Sequence, residues 1–320
     1  MKFHELEVLR ICILKSRMEK SAKVESSYRN IKAGFSGEEK TTAYLMEANL
    51  TPKVSIYRHI NLDNTQYDII VVTQKLICVL EVKNMTGEFY FDSSNNQFYR
   101  IKNGLKDGMR NPELQLQRAV KVLQKRLNRN GVDFPVKGLI ILASRAGIVI
   151  ESPTLFQAVP IDAMCDFLEQ MESDNRKLMT HEELKKVRHI IKRNGFKVYE
   201  TDILEHHGVT RSSIKTGVRC LKCFEISMTR IFSTWLCTRC SHRDKGAHIA
   251  ALQEYLLLFG REVSSDRLKW WLGIEDKYFI KRIVKEVSEN SIGSSRNRTY
   301  VLSFKPWVLE PFLTSELRRN

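Results

Sequence analysis

Three charged residues lie at the ends of two short apolar runs in the first third of the chain. Asp68 precedes the run at residues 69–72, and Glu81 and Lys83 follow the run at residues 76–80. Both runs are rich in β-branched residues and too short for buried helices, so they predict a β-hairpin. Glu81 and Lys83 are two residues apart and therefore project from the same face of a strand. A hairpin loop of even length would place Asp68 opposite Glu81, with Cβ atoms about 5 Å apart.

This arrangement predicts a metal-dependent phosphoryl chemistry. Two carboxylates at that separation repel each other, and a divalent cation relieves the repulsion. Mg²⁺ takes one or two carboxylates, keeps several waters and completes its shell with phosphate oxygens. An ammonium beside it, from Lys83, can orient or activate a water or stabilise negative charge that develops during attack on phosphorus. The alternative is that Asp68 and Lys83 are solvated strand ends and that Glu81 only pairs with Lys83.

The surrounding sequence favours the catalytic interpretation, because this segment resembles the nuclease-related domain (NERD) family of restriction-endonuclease-like PD-(D/E)xK nucleases. Residues 34–38, Gly-Phe-Ser-Gly-Glu, match the family's G-x-x-G-E element, and residues 111–115, Asn-Pro-Glu-Leu-Gln, match its N-P-x-x-Q element. Tyr67 stands where the family has proline, while the acidic residue after it is retained. The resemblance implies a mixed α/β nuclease fold that cleaves nucleic acid with Mg²⁺ or Mn²⁺.

Two further residues enter the predicted site through this resemblance. Glu38 would be an accessory active-site carboxylate and Gln115 would hold a metal-bound water or a phosphate oxygen. Taken alone, Glu38 reads as a first-turn carboxylate that complements a helix dipole. We expect Gly34 and Gly37 to bracket a turn before that helix. Asn111 is an N-cap candidate for the helix that carries Gln115.

The chain of 320 residues carries 52 Lys and Arg against 37 Asp and Glu, a formal charge of +15. This excess favours a polyanion partner, with nucleic acid, most simply DNA, ahead of an anionic membrane. No apolar run reaches the roughly 18 residues of a spanning helix. The first residues lack the basic-then-apolar order of a signal peptide, and we expect a cytoplasmic protein.

Four of the seven cysteines form two C-x-x-C pairs separated by 13 residues. This spacing is typical of a four-thiolate zinc site, which is structural because it leaves no open coordination position. A catalytic redox pair is the alternative, but one pair would suffice for it. The cysteine-rich segment thus predicts a zinc ribbon. Residues 208–250 carry eight Lys or Arg and two acidic residues, which suggests that this ribbon contacts nucleic acid. The predicted zinc ligands are Cys220, Cys223, Cys237 and Cys240.

The C-terminal third predicts three helices followed by a basic hairpin, the order of a winged-helix domain. Its third helix would face the nucleic acid, with two arginines on the wing. Use of the same fold for protein interaction is the alternative. The predicted nucleic-acid-binding residues are Lys277, Lys281, Arg282, Lys285, Arg296 and Arg298.

These patterns together predict a restriction-endonuclease-like mixed sheet flanked by helices, followed by a zinc ribbon and a winged-helix domain. An N-terminal helix would pack on the nuclease-like core, with a homo-oligomer contact as the alternative. A second hairpin, at residues 87–101, would extend the nuclease sheet. The predicted segments are the N-terminal helix (1–30), the nuclease-like domain (31–150), a helical connector (151–210), the zinc ribbon (211–245), the winged helix (246–305) and a tail (306–320).

Overall fold

The computed structural model describes residues 3–51, 53–192, 202–294 and 298–318. The chain divides into two compact units. One, the inserted unit, spans Ala33–Phe196. The other, the flanking unit, combines residues 1–32 with residues 197–320. One helix, α2 (Ala22–Leu45), supplies residues to both units.

A five-stranded mixed sheet forms the centre of the inserted unit. Its strands lie in the order β1 (Ser55–Leu62), β2 (Thr65–Val72), β3 (Ile77–Lys83), β7 (Val136–Leu142) and β9 (Gln157–Pro160). The pairs β1–β2 and β2–β3 are antiparallel, and β3–β7 and β7–β9 are parallel. The predicted central hairpin is therefore β2–β3, and the fold is the mixed α/β class that the sequence predicts.

Both faces of this sheet are buried, because alternate residues of β2 and β3 enter two different apolar clusters. Ile70 and Val79 pack with helices α3 (Pro112–Arg129) and α5 (His181–Lys192). Ile69 and Leu80 pack on the other face with the end of α2 and with α4 (Met164–Ser173). The near-continuous apolar runs in the sequence follow from this double coverage.

The inserted unit continues past residue 150, the predicted end of the nuclease-like domain. Strands β8 (Gly147–Glu151) and β9 and helices α4 and α5 all belong to the inserted unit, so residues 151–192 are part of its core and not a separate connector.

The prediction that the second hairpin extends the central sheet is wrong. The hairpin forms a separate four-stranded sheet in the order β6 (Leu105–Met109), β5 (Gln97–Lys102), β4 (Gly87–Asp92) and β8, and does not extend the central sheet.

The flanking unit contains the N-terminal helix α1 (Phe3–Ser16), whose apolar residues pack against α7 (Ala247–Phe259) and α10 (Glu310–Arg318). Arg10 Nε donates to the carbonyl of Leu257 on α7 at 2.7 Å. The prediction that α1 packs on the nuclease-like core is therefore wrong. The predicted tail is likewise ordered structure, since Leu309, just before α10, and Phe312, on α10, are both buried.

Two small sheets complete the flanking unit. The cysteine-rich segment forms a four-stranded antiparallel sheet of β10 (Val218–Arg219), β11 (Ile226–Ile231), β12 (Thr234–Cys237) and β13 (Arg243–Asp244). After α7 come β14 (Glu262–Ser264), α8 (Ser265–Leu272), α9 (Lys277–Val287), β15 (Ser288–Ile292) and β16 (Thr299–Leu302), with strand order β14-β16-β15. A short helix, α6 (Ile203–His207), precedes the cysteine-rich sheet.

A buried ion triad joins the two sequence segments of the flanking unit. Arg17, just after α1, and Arg219 on β10 both bond the carboxylate of Glu254 on α7, and all three side chains are almost fully buried. Burial alone would raise the pKa of Glu254, but the two guanidinium groups outweigh it and lower the pKa. Arg17 also donates to the carbonyls of Lys215 and Gly217.

We expect Glu254→Gln to destabilise the flanking unit by about 3–5 kcal/mol, because it leaves two buried guanidinium groups without their counter-charge. All four tryptophans of the chain lie in this unit, at positions 235, 270, 271 and 307. Tryptophan fluorescence in a urea titration therefore measures the loss in this unit alone.

The matched control is Glu225→Gln, which removes an exposed ion pair with Arg239. Exposed pairs contribute about 0–1 kcal/mol, so this variant should unfold close to the wild-type midpoint. Equal shifts for the two variants would contradict the role given to the triad.

Candidate active site and metal centre

The β2–β3 hairpin brings two carboxylates to the same end of the sheet. Thr73 N–H donates to the Leu76 carbonyl at 2.8 Å, so two residues form the loop and the even-length condition is met. Ile69 pairs with Leu80, which puts Asp68 opposite Glu81. The two carboxylates therefore meet at this end of the sheet.

Lys83 is held between two oxygen acceptors at the end of β3. Its Nζ donates to Glu81 Oε1 at 2.6 Å and to Gln115 Oε1 at 3.2 Å. Burial by itself would lower the pKa of Lys83, but the charges of Glu81 and Asp68 outweigh burial and raise it. The side chain is therefore a fixed ammonium at neutral pH and acts as a donor.

Asp68 is in the opposite electrostatic situation. Burial raises its pKa well above the usual value, and the neighbouring charges of Glu81 and Glu38 raise it further. The Lys83 ammonium and the Val82 N–H, which donates to Asp68 Oδ2 at 2.9 Å, offset only part of this. The protein thus holds a carboxylate where ionisation is costly, and a cation at this position would remove the cost.

Glu38 reaches the same place from helix α2. The two glycines before it do not bracket a turn, as the sequence analysis expected, because α2 runs without interruption from Ala22 to Leu45. A Cβ on Gly37 would lie 2.5 Å from the Cβ of Asn84, just beyond β3. Asn84 Nδ2 also donates to the Ala33 carbonyl at 2.8 Å. Glycine is thus required for the helix to approach the strand end closely enough to deliver the Glu38 carboxylate.

Gln115 is positioned by the start of helix α3. Asn111 is the N-cap residue and its side chain accepts from Glu113 N–H, with Pro112 in the first turn, as the sequence predicts. Gln115 N–H donates to the Asn111 carbonyl, so the glutamine lies one turn into the helix. Its amide then meets Lys83 from the side of the sheet that α3 covers.

These side chains line one cavity of about 440 Å³ in the inserted unit. All five residues of the predicted catalytic set contribute to its wall. The lining residues are Gly34, Glu38, Asn61, Asn64, Thr65, Gln66, Asp68, Glu81, Val82, Lys83, Arg110, Gln115 and Arg118.

Sequence reasoning missed three residues at this site. Arg110 and Arg118 line the cavity, and their sequence signal is weak: Arg118 is three residues after Gln115 on one helical face, and Arg110 immediately precedes the Asn111 cap. His59 on β1 lies 2.7 Å from Glu38 through its Nδ1 atom. No local motif marks His59, because its place depends on the pairing of β1 with β2.

The donor set of the cavity fits a divalent cation. Mg²⁺ is bound by one or two carboxylates together with waters and phosphate oxygens, and Asp68 and Glu81 supply that number. The raised pKa of Asp68 is the mark of a carboxylate whose charge lacks sufficient compensation from the protein.

Residues 33–143 match the family model described as "Nuclease-related domain", NERD. The similarity covers about a third of the chain, and residues 33–143 are called the nuclease-related domain below in that sense. The match contains the whole predicted catalytic set, and it supports a nuclease-like function and an interaction with nucleic acid. Comparison with curated proteins and with solved structures found no match. Among the described residues, no helix has the length and apolar character to cross a membrane.

The four predicted cysteines meet in the flanking unit, outside the nuclease-related domain. Their sulfur atoms all lie within 4.8 Å of one another, and theirs is the one group of three or more potential ligands this close in the described part of the chain. Cys220 Sγ lies 3.7 Å from Cys240 Sγ, and Cys223 Sγ lies 3.6 Å from Cys237 Sγ. A tetrahedral site with metal–sulfur bonds of about 2.3 Å has sulfur atoms about 3.8 Å apart. The cysteine cluster could therefore hold a metal ion such as zinc.

The two C-x-x-C turns have the same backbone geometry. The residues that follow them, Phe224 and Ser241, have φ angles of 63° and 57°, and each N–H donates to the carbonyl of the first cysteine of its pair. Burial opposes ionisation of Cys237, but hydrogen bonds from Ser227 and from backbone N–H groups lower its pKa to about 6. A thiolate, the form that binds metal, is thus favoured at this position.

The basic residues of α9 lie on the side opposite the buried one. Asp276 caps the helix, and Phe279, Ile280 and Ile283 are among its buried residues. The guanidinium carbon of Arg230, on β11, lies 3.7 Å from the centre of the Phe279 ring. The cysteine-rich sheet therefore contacts α9. The exposed basic residues are Lys277, Lys281, Arg282 and Lys285, with Arg298 exposed before β16. The predicted residue Arg296 lies outside the described residues.

We expect Asp68→Asn to stabilise the metal-free nuclease-related domain by about 0.5–2 kcal/mol at pH 8. Because the folded-state pKa of Asp68 is raised, the folded protein binds this proton more tightly than the unfolded chain, and stability falls as pH rises above the unfolded pKa of about 4. Asparagine keeps an acceptor for Val82 N–H but carries no charge. The advantage should therefore shrink as the pH is lowered toward 4.

The measurement is urea unfolding in chelator by circular dichroism, with tryptophan fluorescence recorded in parallel to separate the flanking unit. Asp63→Asn is the control, since Asp63 is an exposed partner of Arg126 in the same domain. A lower urea midpoint for Asp68→Asn than for wild type at pH 8 would contradict this prediction. It would mean that the ionised Asp68 side chain stabilises the folded domain.

Proposed function

We propose that this protein is a metal-dependent nuclease that hydrolyses phosphodiester bonds in DNA. The observation that carries the proposal is the convergence of Glu38, Asp68, Glu81, Lys83 and Gln115 on one cavity of the nuclease-related domain. These groups come from one helix, two neighbouring strands and a second helix. The set combines acidic metal ligands with a fixed ammonium, a composition suited to metal-dependent phosphodiester hydrolysis.

Mg²⁺ or Mn²⁺ bound by Asp68 and Glu81 would supply a more acidic water and neutralise charge on the scissile phosphate. The remaining chemistry belongs to the protein. Lys83 donates to the attacking water or to a phosphate oxygen as negative charge develops there, and its raised pKa keeps it in the donating form. Gln115 holds the ammonium in place through its side-chain oxygen and leaves its amide nitrogen to donate.

Arg110 and Arg118 fit the phosphates next to the scissile bond. Both are exposed, both line the cavity, and across the described residues neither guanidinium forms an ion pair. A guanidinium bonds phosphate oxygens in a bidentate manner, so these residues would fix the backbone of the substrate without reading its bases.

The flanking unit supplies a structural and a binding element in this proposal. We assign zinc to the four cysteines, because four thiolates at tetrahedral spacing are typical of zinc sites. The zinc would be structural, since such a site leaves no coordination position for substrate. We interpret α7, α8 and α9 with strands β14–β16 as a winged helix whose α9 face, together with Arg298 and Arg296, contacts DNA. The support is the separation of exposed basic from buried apolar residues on α9.

A second candidate is a DNA-binding protein that uses the nuclease fold without turnover. The basic face of α9 favours it, since this surface belongs to the other compact unit and binding there does not require the acidic cavity. The complete charge set in the cavity favours catalysis, because binding alone has no use for buried carboxylates whose ionisation is costly.

We expect Glu81→Gln and Lys83→Ala each to reduce cleavage by about 100-fold or more, since each removes a charge worth several kcal/mol in the transition state. DNA binding should persist in both variants. Cleavage of labelled linear, circular and single-stranded DNA, and of RNA, in Mg²⁺, Mn²⁺ or chelator measures the first quantity, and gel shift in chelator measures the second. The same panel distinguishes DNA from RNA as substrate.

Two variants frame this test. Glu88→Gln changes an exposed carboxylate of the same domain and should leave cleavage unchanged. Replacing Lys281 and Arg282 with glutamate leaves the cavity intact and should weaken DNA binding. Wild-type cleavage by Glu81→Gln would rule out the cavity as the active site, and a purified wild type that binds DNA but never cuts it would favour the second candidate.

We expect the purified, reduced protein to contain about one zinc per chain, and Cys237→Ser to lose it. Structural zinc binding is coupled to folding, so the variant should also lose the buried environment of Trp235 on β12. Elemental analysis and tryptophan fluorescence measure the two effects. Cys165→Ser, a cysteine of the inserted unit outside the cluster, should retain the zinc, and wild-type protein without zinc would contradict the assignment.

A further inference from the structure

His59 has an unusual backbone conformation for a residue in the middle of a strand. Its φ angle is +53°, in the left-handed region, and the side chain is only 2% exposed. Residues other than glycine rarely adopt such angles, and a buried one in a strand must be held there by its surroundings. The β1–β2 register pairs Arg58 with Ile69 and Ile60 with Tyr67, so His59 lies opposite Asp68.

The contacts of His59 fix its tautomer. Nε2 lies 3.3 Å from Arg58 Nη2, and a guanidinium can only donate, so Nε2 is the acceptor. The hydrogen of the neutral ring is then on Nδ1, which lies 2.7 Å from Glu38 Oε2. Arg58 is itself held by Glu39, the next residue on α2. The strand therefore contacts two successive carboxylates of the helix.

This contact bears on the acidic cavity because Glu38 is only 4% exposed and its charge raises the pKa of Asp68. A buried carboxylate among two others has a strong tendency to rotate away or to take up a proton. The His59 Nδ1 atom, 2.7 Å from Oε2, opposes the rotation, because the contact keeps this oxygen next to β1 and the carboxylate on the cavity side. Groups that bond metal-ligating carboxylates in this way set their orientation.

We propose that His59 is a positioning residue that holds the Glu38 carboxylate directed at the Asp68–Glu81 metal site. The inference rests on the proposed function, since it assigns a task within the same cavity. The backbone strain at His59 places Nδ1 within reach of α2. His59 touches neither metal nor substrate and acts only through Glu38.

Two substitutions separate this task from a packing role. Asparagine tolerates left-handed φ angles, and its Nδ2 occupies the same position relative to Cβ as the imidazole Nδ1, so His59→Asn keeps the donor. Glycine also accepts the backbone angle but has no donor, so His59→Gly removes it. Glu38→Gln and the double variant Glu38→Gln with His59→Gly complete a cycle.

The first readout is the affinity of each protein for Mn²⁺ alone, by calorimetry without DNA, and the second is single-turnover cleavage. We expect His59→Gly to weaken Mn²⁺ binding about 10-fold or more and His59→Asn to remain within about threefold of wild type. In the Glu38→Gln background, His59→Gly should cause no further loss. Circular dichroism melts accompany each variant.

The outcomes separate this inference from the proposal on which it rests. If Glu81→Gln loses Mn²⁺ affinity while His59→Gly keeps it, the nuclease proposal stands and the role of His59 is overturned. Equal defects in the asparagine and glycine variants, or additive losses in the double variant, also overturn it, because His59 would then act by packing. If Glu81→Gln binds Mn²⁺ as wild type does, the metal site itself fails and both proposals fall.

Discussion

Mutual repulsion of buried carboxylates is the constraint on which the nuclease-related domain depends. Glu38, Asp68 and Glu81 line one cavity, with Lys83 bonded to Glu81 as the central positive charge. A charged cluster of this kind stays together only if the backbone leaves the carboxylates no way to separate. The domain meets this condition because each acidic residue lies on a helix or strand that is held in place by contacts away from the cavity.

Four features of the fold hold these side chains together. A two-residue loop sets the register that puts Asp68 opposite Glu81. Both strands bury residues on both faces, so neither can slip without exposing an apolar row. Gly37 lets α2 touch the end of β3, and the Asn111 cap starts α3 at the place where Gln115 meets Lys83.

Local patterns in the sequence were sufficient for the parts of the site that depend on local geometry. Period-two spacing placed Glu81 and Lys83 on one face, and the cap residues placed Gln115 within one turn of the start of its helix. The C-x-x-C pairs also met, because their turns follow from a few adjacent residues. His59 could not be found in this way. Its position depends on a strand register and a backbone angle that the neighbouring residues in the sequence do not predict.

The errors have a common physical origin in contacts between distant parts of the chain. Gly34 and Gly37 resembled a turn because glycine lowers helix propensity, whereas the close approach of Asn84, 47 positions after Gly37, is what requires a glycine. The partners of α1 lie more than 200 residues away, so its apolar stripe indicated burial without indicating where. The predicted tail and connector failed for the same reason, since their apolar residues complete cores begun elsewhere.

The buried triad of Arg17, Arg219 and Glu254 also has a consequence for biosynthesis. Translation yields Arg17 first and Glu254 only after the entire inserted unit has been made. The inserted unit can complete its own sheets while α1 still lacks the helices that cover it. Helix α1 is therefore covered only after synthesis of α7, and a chain that stops before α7 would display that helix to chaperones and proteases with its apolar side uncovered.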